Sequence, residues 1–213
     1  HAYGVSINEY LVATFIWAAY QENYRHITED RPIRVAVPVN LRPYFDSITT
    51  KNFFVMVSAE FAPQKNEYTF AEILAITKDS LRAQINKEHL EKIFSYNVSN
   101  ELMVVARAVP LFLKNLAMRL VYTQSALANT TTVTNIGNIK VEKVYEPYIQ
   151  TVHSFLSFSK GQSLKATITS YQDTLVYTYT SAWQDTAIQR RVFRQIAQDG
   201  IDVKIETNGV YYE

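Results

Sequence analysis

The spacing of apolar residues predicts a helix at the start of the chain and another after a strand-rich segment. Over residues 7–24 apolar side chains recur every three or four positions, and because both sides of this helix are rather apolar we expect it to be buried. Ser6 and Glu9 have the spacing of a capping box, in which a hydroxyl and a carboxylate bind the free amides of a helix start. Thr69 and Glu72 repeat this spacing before an amphipathic pattern that predicts a helix over residues 70–89.

Two segments dense in β-branched and aromatic residues lie between these helices. Residues 33–43 and 52–61 predict two strands, and the Pro, Asp, Ser and Thr residues between them predict a loop. Arg42 lies at this join, and its planar guanidinium suits a bidentate pair with a carboxylate. The alternative is an arginine that is solvated or bound locally at a strand end.

The second half begins with a helical composition over residues 100–124. Pro110 should either break this segment or begin its second piece. The threonine-rich residues 129–139 then favour a strand, and Asn135, Ile136 and Gly137 indicate a bulge or a tight turn within it.

Three further segments show the alternation of a half-buried strand: residues 151–158, 164–171 and 174–181. Their short links allow antiparallel hairpins. Asp185 should cap a last helix that ends at Asp199 and Gly200, and an extended segment follows. No linker or repeat interrupts the pattern, so the 213 residues predict one α/β unit.

Composition narrows the class of protein. A hydrophobic fraction of 47% and a charged fraction of 19% are typical of a folded globular chain rather than a disordered one. The net charge of +1 gives no support for nucleic-acid binding, and no apolar run is long enough to span a membrane. The chain does not start with Met, so we expect its sequence to begin inside a longer protein. It also lacks a signal-peptide pattern, and we expect a cytoplasmic protein.

The sequence contains no complete catalytic or metal-binding motif that we recognise. No histidine is followed by a second one, there is no cysteine, and the zinc, P-loop, dinucleotide and nucleophile-elbow patterns are all missing. His153 lies inside an alternating segment, where a structural role is the usual one. The residues alone therefore name no catalytic side chain and no metal ligand.

Four short motifs in a fixed order indicate a relationship. They are Gly-Val-Ser-Ile-Asn from Gly4, Val-Pro-Val-Asn-Leu-Arg-Pro at 37–43, Asn-Phe-Phe-Val at 52–55 and Thr-Asn-Ile-Gly at 134–137. With the paired helices and the later strands, this order resembles the C-terminal lobe of the chloramphenicol acetyltransferase-like superfamily over most of the chain. Alcohol O-acetyltransferase-like enzymes and the condensation domains of nonribosomal peptide synthetases are the nearest groups.

The resemblance implies a fold and an activity. The fold would be an α/β (α+β) two-layer sandwich with a mixed, largely antiparallel sheet, and residues 1–213 would be a single C-terminal lobe. The activity would be transfer of an acyl group, most simply acetyl, from a coenzyme A thioester to an alcohol or amine. The superfamily's His-His-x-x-x-Asp-Gly signature would lie in an N-terminal lobe that this chain lacks. The chain would then hold no catalytic residue and no bound cofactor, and would be inactive alone.

The resemblance also implies roles for six residues. Arg42, with Asn40 in the same motif, would pair across the lobe interface with the Asp of the signature. Asn135 and Gly137 would border the substrate tunnel and orient the thioester or stabilise an oxyanion, unless the bulge serves only strand crossing. Asn52 and Phe54 match a position where an aromatic side chain would wall the tunnel, although for Phe54 we expect plain core packing instead.

The expected partners follow from the same resemblance. They are the missing lobe, a small-molecule acceptor and, for a condensation domain, a carrier protein. A non-catalytic binding or assembly module with the same fold remains an alternative function. A lobe separated from its partner should also expose an apolar face, which favours self-association.

Overall fold

The computed structural model describes residues 3–23, 27–102, 109–159 and 161–208, and within them one five-stranded sheet lies against helices. The helices are α1 (Ile7–Asn23), α2 (Phe70–Gln84), α3 (Lys87–Leu102), α4 (Leu111–Ala128) and α5 (Ala187–Gln198). The strands are β1 (Ile33–Asn40), β2 (Phe54–Phe61), β3 (Thr131–Asn138), β4 (Leu164–Tyr171) and β5 (Thr174–Ser181), in the spatial order β2-β1-β3-β4-β5.

The sheet is mixed, as predicted. β1 pairs antiparallel with β2, and β4 pairs antiparallel with β5, in both cases along the full length of the strands. The parallel pairs β1–β3 and β3–β4 are shorter, so most paired residues are antiparallel. The core lies between one face of this sheet and helices α1, α2 and α5, with Phe15 and Ile16 of α1 almost fully buried against it.

Both predicted capping boxes are present. The Glu9 amide donates to the Ser6 hydroxyl, and the Glu9 carboxylate accepts from the Ser6 amide at 2.7 Å. Thr69 and Glu72 form the same reciprocal pair at the start of α2. Glu9 also receives two hydrogen bonds from the Arg82 guanidinium, at 2.7 and 3.2 Å, which tie α1 to α2.

The helix predicted over residues 70–89 is wrong in its extent, because it is two helices. α2 ends at Gln84, and the Asn86 side chain accepts a hydrogen bond from the His89 amide at the start of α3. An asparagine that caps the next helix in this way satisfies a free amide and allows the chain to turn. Pro110 immediately precedes α4, in agreement with the second of its two predicted roles.

The strand predicted over residues 151–158 is also wrong. These residues form no ladder but lie along the sheet face opposite the helices as an extended strap (residues 151–158). The carbonyls of Val152, Ser154 and Leu156 accept hydrogen bonds from threonine hydroxyls of β4 and β5. Residues of the strap therefore alternate between half-buried and exposed. The period-two pattern arises because the strap packs on a sheet face, and not because it pairs with a neighbouring strand.

The last helix ends as predicted and is held to the start of the chain. Gly200 has φ +82, which suits glycine at a helix C-terminus. Asp199 accepts hydrogen bonds from the hydroxyls of Tyr3 at 3.0 Å and Tyr10 at 2.6 Å. Asp185 contacts the Ala187 amide, one residue before the assigned N-cap.

Three other expectations can be compared with the structure only over the described residues. The predicted terminal segment has no regular structure as far as residue 208, and residues 209–212 lie outside the described part, as do residue 24 and His26. No helix of the described residues is long and apolar enough to cross a membrane. Among those residues there is also no cluster of side chains that could hold a metal ion.

Candidate functional site

All six candidate residues lie at one edge of the sheet. Asn40 ends β1 and stands opposite Phe54, the first residue of the antiparallel strand β2. Asn135 and Gly137 are near the end of β3, which runs parallel to β1, so both strands finish at the same side. With Arg42 and Asn52 in the adjoining loop, these residues define what we call the carboxyl edge. The tertiary structure therefore gathers side chains that are almost 100 positions apart in the sequence.

The β1–β3 ladder stops before it reaches the carboxyl edge. The pairing is limited to Val35 with Thr131 and Ala36 with Thr132. The Arg34 carbonyl accepts from the Thr130 amide, so the even-numbered backbone groups of β1 point toward β3. The next donor in that direction would be residue 38, but proline has no N–H. Pro38 thus explains why the ladder stops, and we call the stretches beyond it, which are not paired with each other, the fork (residues 37–40 and 133–138).

Asn135 and Gly137 form a bulge on one arm of this fork. The register between β3 and β4 shifts between the two residues, as the sequence indicated. The Asn135 side-chain oxygen accepts a hydrogen bond from the Gly137 amide at 2.8 Å, and Gly137 has φ +84. Ile136 is pushed outward and is exposed. Within the described residues the Asn135 Nδ2 group has no protein acceptor, and the residue is exposed, so its two N–H donors are available to solvent or a ligand.

Arg42 is bound locally, which is the alternative that its position suggested. Its guanidinium donates to the carbonyls of Thr49 at 3.0 Å and Lys51 at 2.8 Å, and also to the Asn40 side chain at 3.4 Å. The Arg42 amide donates to the same Asn40 oxygen at 3.1 Å. These contacts brace the loop between β1 and β2, and no carboxylate of the described chain takes part. The ion pair across a lobe interface stays a prediction.

Asn52 and Phe54 lie just before β2 and at its first residue, on the side of β1 that is away from the fork. Phe54 is 48% exposed, so the expectation that it packs in the core is wrong. Its neighbour Phe53 packs inward instead, edge-on to Phe94 with ring centres 5.5 Å apart. Together with Met56, which is 44% exposed, Phe54 gives this face of β2 an apolar surface next to the carboxamide of Asn52.

The chemistry available at the carboxyl edge is donation of neutral hydrogen bonds beside an apolar wall. Asn40, Asn52 and Asn135 supply carboxamides, and none of the six residues is a base with a near-neutral pKa. His153 lies on the strap, exposed, with its Nε2 atom 3.0 Å from the Thr151 hydroxyl. Such an edge can orient a carbonyl or amide group, but it holds no group that would take a proton from an acceptor.

Sequence reasoning missed two residues that shape this site. Pro38 stood in the quoted motif, and a proline inside a strand pattern was the signal that a ladder donor is missing on one side. Met56 carried no comparable signal, since only the strand pairing shows which face of β2 is uncovered.

Comparison with known proteins was made at three levels. No protein-family model matches the chain, and the search of curated proteins gave no match. Solved structures do match. The nonribosomal peptide synthetase FmoA3 in its AMPPNP-bound form gives a TM-score of 0.54 at 20% identity, covering 92% of this chain and 19% of that chain. FmoA3 with alpha-methyl-L-serine-AMP bound gives 0.51 at 20% identity, covering 93% of this chain and 20% of that chain.

A second protein shares the fold over a larger part of its length. Polyketide synthase associated protein 5 from Mycobacterium tuberculosis gives a TM-score of 0.55 at 12% identity, covering 95% of this chain and 48% of that chain. The chain therefore spans about half of one similar structure and a fifth of the other. At these identities the likeness concerns the fold, which the order of motifs had predicted. The chain has the α/β fold of these solved structures, with a five-stranded mixed sheet against helices.

Proposed function

We propose that this chain is the C-terminal lobe of an acyltransferase that moves an acyl group, most simply acetyl, from a coenzyme A thioester to an alcohol or amine. In this reaction the acceptor oxygen or nitrogen attacks the thioester carbonyl carbon, and the carbon–sulfur bond breaks. The proton of the acceptor passes to a base and then to the departing thiolate. That base would come from an N-terminal lobe, so the chain alone would be inactive.

The observation that carries the proposal is the fork at the carboxyl edge. Pro38 ends the β1–β3 ladder, and Asn40 and Asn135 lie on the two arms beyond it, Asn40 on the sheet face turned away from the helices and Asn135 in register with the helix-facing Ile168. Neutral donors on both sheet faces, at the point where a ladder ends, suit an extended, largely uncharged chain that contains amide and carbonyl groups and passes between the arms. The pantetheine arm of coenzyme A has this character. The shared fold supports the same reading at a coarser level.

Each residue of the carboxyl edge then has a defined role. The free Nδ2 donors of Asn135 would bind the thioester oxygen, either in the ground state or as it becomes an oxyanion. Asn52 would bind an amide of the arm, and Phe54 would pack against its methylene groups. Arg42 would hold the loop that carries Asn52 and would also face the missing lobe.

The first test is the sequence that precedes His1 in the coding region. A His-His-x-x-x-Asp-Gly motif about one lobe upstream supports the proposal, and a chain that starts at His1 would refute the mechanism. The complete protein is then assayed with acetyl-coenzyme A and a panel of alcohols and amines, with release of free thiol as the readout.

The role of the carboxyl edge is tested in the same assay. Asn135→Ala should lower turnover roughly 100-fold to 1,000-fold, the range seen when an oxyanion donor is removed. Asn66→Ala is the matched control, because Asn66 is an exposed asparagine beyond the other end of β2, and only its backbone carbonyl makes a contact. Equal activity of both variants would leave Asn135 with a structural role alone.

The same fold supports one alternative enzyme and one alternative without chemistry. A condensation domain would take its acyl group from a carrier protein, and would turn over with a carrier-bound thioester but not with free acyl-coenzyme A. A binding or assembly module would show no turnover with either donor, even as the complete protein. The structural similarity to FmoA3, a nonribosomal peptide synthetase, is the observation that supports the condensation-domain alternative.

A further inference from the structure

The two outer strands of the sheet differ in what covers their free edges. On β2 the Ser58 amide donates to the Gln84 side chain at 3.2 Å, and Gln84 donates back to the Ser58 carbonyl at 2.8 Å. The Glu60 amide donates to the Ser80 hydroxyl at 3.3 Å. Side chains of α2 therefore occupy this edge in place of another strand, which is a usual way to keep an edge strand from pairing with a further chain.

The outer edge of β5 has no such cover. The Ala182 amide donates to the Ser163 carbonyl, so even-numbered residues of β5 direct their backbone groups to β4 and odd-numbered residues direct theirs outward. The outward groups belong to Leu175, Tyr177, Tyr179 and Ser181. Within the described part of the chain none of these amides and carbonyls has a hydrogen-bond partner. β5 also contains no proline and no charged residue, so nothing in its own sequence protects the edge.

The residues that follow α5 have the sequence of a strand that fits such an edge. In this tail segment (residues 201–207) apolar residues at 201, 203 and 205 alternate with charged residues at 202, 204 and 206, as in a strand with one buried face. The structure gives the segment no ladder. Val203 packs against the core, but Ile201 is 51% exposed and Ile205 is 65% exposed. The apolar side of this strand pattern is therefore only partly buried.

Helix α5 brings the tail segment to the free edge. Residues 182–186 join the end of β5 to the start of α5, and Phe193 in the middle of α5 packs on Tyr179 and Tyr177, with ring centres 6.0 and 6.3 Å apart. α5 therefore runs back over β5 toward its start, and the chain turns at Gly200. A strand that continues from there runs parallel to β5, and a helix is the usual connection between parallel neighbours. This crossover would have the same hand as the β3–β4 crossover, because the strap lies on the opposite face and joins strands of the opposite direction.

The tail segment already passes this side of the sheet. Lys204, and to a smaller extent His153 of the strap, lower the pKa of Glu206, so Glu206 lies within electrostatic reach of the strap. α5 and the strap lie on opposite faces of the sheet, and β5 is the outer strand beside both. Between Gly200 and Glu206 the chain therefore goes from one face to the other next to the free edge of β5.

We infer that the tail segment docks on β5 as a sixth, parallel strand of the sheet, and that its described position is the undocked state. Val203 would stay on the helix side, and Ile201 and Ile205 would join it there, because alternate residues of a strand share a face. The amides of residues 202, 204 and 206 would then point toward the outward carbonyls of β5. Docking would close an edge that otherwise can pair with another chain. The inference is independent of the proposed acyl transfer, because it uses no residue of the carboxyl edge.

Hydrogen exchange of the complete protein, resolved to single amides by fragmentation mass spectrometry, tests the docking. The outward amides of β5 and those of residues 202, 204 and 206 should exchange at least about 10-fold more slowly than the amides of residues 203 and 205, since one backbone hydrogen bond corresponds to an equilibrium constant of roughly ten. The Ser58 and Glu60 amides, which have acceptors on α2, are the reference for a covered edge. Unprotected exchange at Tyr177 and Tyr179 would refute the inference.

Two substitutions of Lys204 form a matched pair. Lys204→Pro and Lys204→Ala both remove the ion pair with Glu206, but only proline also removes an amide that would face β5. Protection of the outward β5 amides should be lost in Lys204→Pro and kept in Lys204→Ala, and equal exchange in the two variants would refute docking. If a second copy of the chain covers the edge instead, protection will rise with protein concentration and persist in Lys204→Pro, which would also refute the role of the tail segment.

Discussion

The carboxylate of Glu9 joins three parts of the fold, and replacing it tests how much that junction contributes. Glu9 caps the start of α1, and its side chain is almost buried while accepting from Arg82 and from the Ser6 amide. Arg82 also reaches the Gly4 carbonyl, so the pair holds the first residues of the chain against α2. Glu9→Gln keeps the size of the side chain but removes its charge.

The expected loss can be worked from these contacts. Hydrogen bonds that involve a charged group contribute about 1.5–3 kcal/mol each, but Arg82 is 54% exposed and recovers water when it is released. Glutamine can still accept one hydrogen bond. We therefore expect Glu9→Gln to lower the free energy of unfolding by about 2 kcal/mol at pH 7, which corresponds to a fall in Tm of about 4–8 °C.

The pKa of Glu9 determines how its contribution to stability changes with pH. Burial alone would raise the pKa of Glu9, but the hydrogen bonds from Arg82 and Ser6 outweigh it and hold the pKa below its usual value. A lowered folded-state pKa stabilises the protein above the unfolded value of about 4.3, and that stabilisation is lost as the pH falls through the folded pKa. The difference between the unaltered chain and Glu9→Gln should therefore shrink in acid.

Urea unfolding followed by circular dichroism between pH 7 and about pH 2.5 measures both quantities. Glu88→Gln is the control, because Glu88 pairs with Lys92 at 2.8 Å while both side chains are exposed, and it should change the unfolding midpoint little. A loss under about 0.5 kcal/mol at pH 7, or a difference that persists unchanged at the lowest pH, would refute the reasoning.

Three further predictions concern other contacts. Arg42→Ala should destabilise the loop between β1 and β2 by about 1 kcal/mol and lower the activity of the complete protein. Arg42→Lys should restore neither property, because a single ammonium cannot reach both backbone carbonyls. Thermal unfolding and turnover of both variants measure these effects, and unchanged values would contradict the prediction. Gly137→Ala should cost about 1 kcal/mol in urea unfolding, because an alanine at φ +84 is strained although no atom lies near its added Cβ; an unaltered midpoint would show that the bulge rearranges. Burial and the Asp199 carboxylate raise the pKa of Tyr10 in the folded protein, so Tyr10 stabilises the fold below its unfolded pKa of about 10, and this stabilisation is lost as the pH rises beyond that pKa. Tyr10→Phe should therefore make the stability depend less on pH above about 10. Equally steep alkaline unfolding of both proteins would contradict this prediction.

Local features of this fold could be predicted because their causes are local. Ser6 with Glu9 and Thr69 with Glu72 act over three residues, and the bulge at Gly137 follows from the conformations open to glycine. The missed break at Asn86 was also local, but a long amphipathic pattern concealed the cap within it. The strand prediction for the strap was wrong for a different reason. A strand edge and a sheet face impose the same alternation of buried and exposed residues on the segment that contacts them.

By itself the sequence determined most of the helices and strands and both capping boxes, since these depend on short-range spacing and backbone freedom, and the resemblance carried by its motifs supplied the residues of the candidate site. Only the tertiary structure decided that β1 and β3 run parallel with a ladder that stops at Pro38, that Asn40 and Asn135 lie at one edge of the sheet, and that many large apolar side chains of α4 are exposed. The physical reason is that strand pairing joins residues almost 100 positions apart and helix packing joins residues almost 200 apart, and no local pattern specifies which distant surface will meet another.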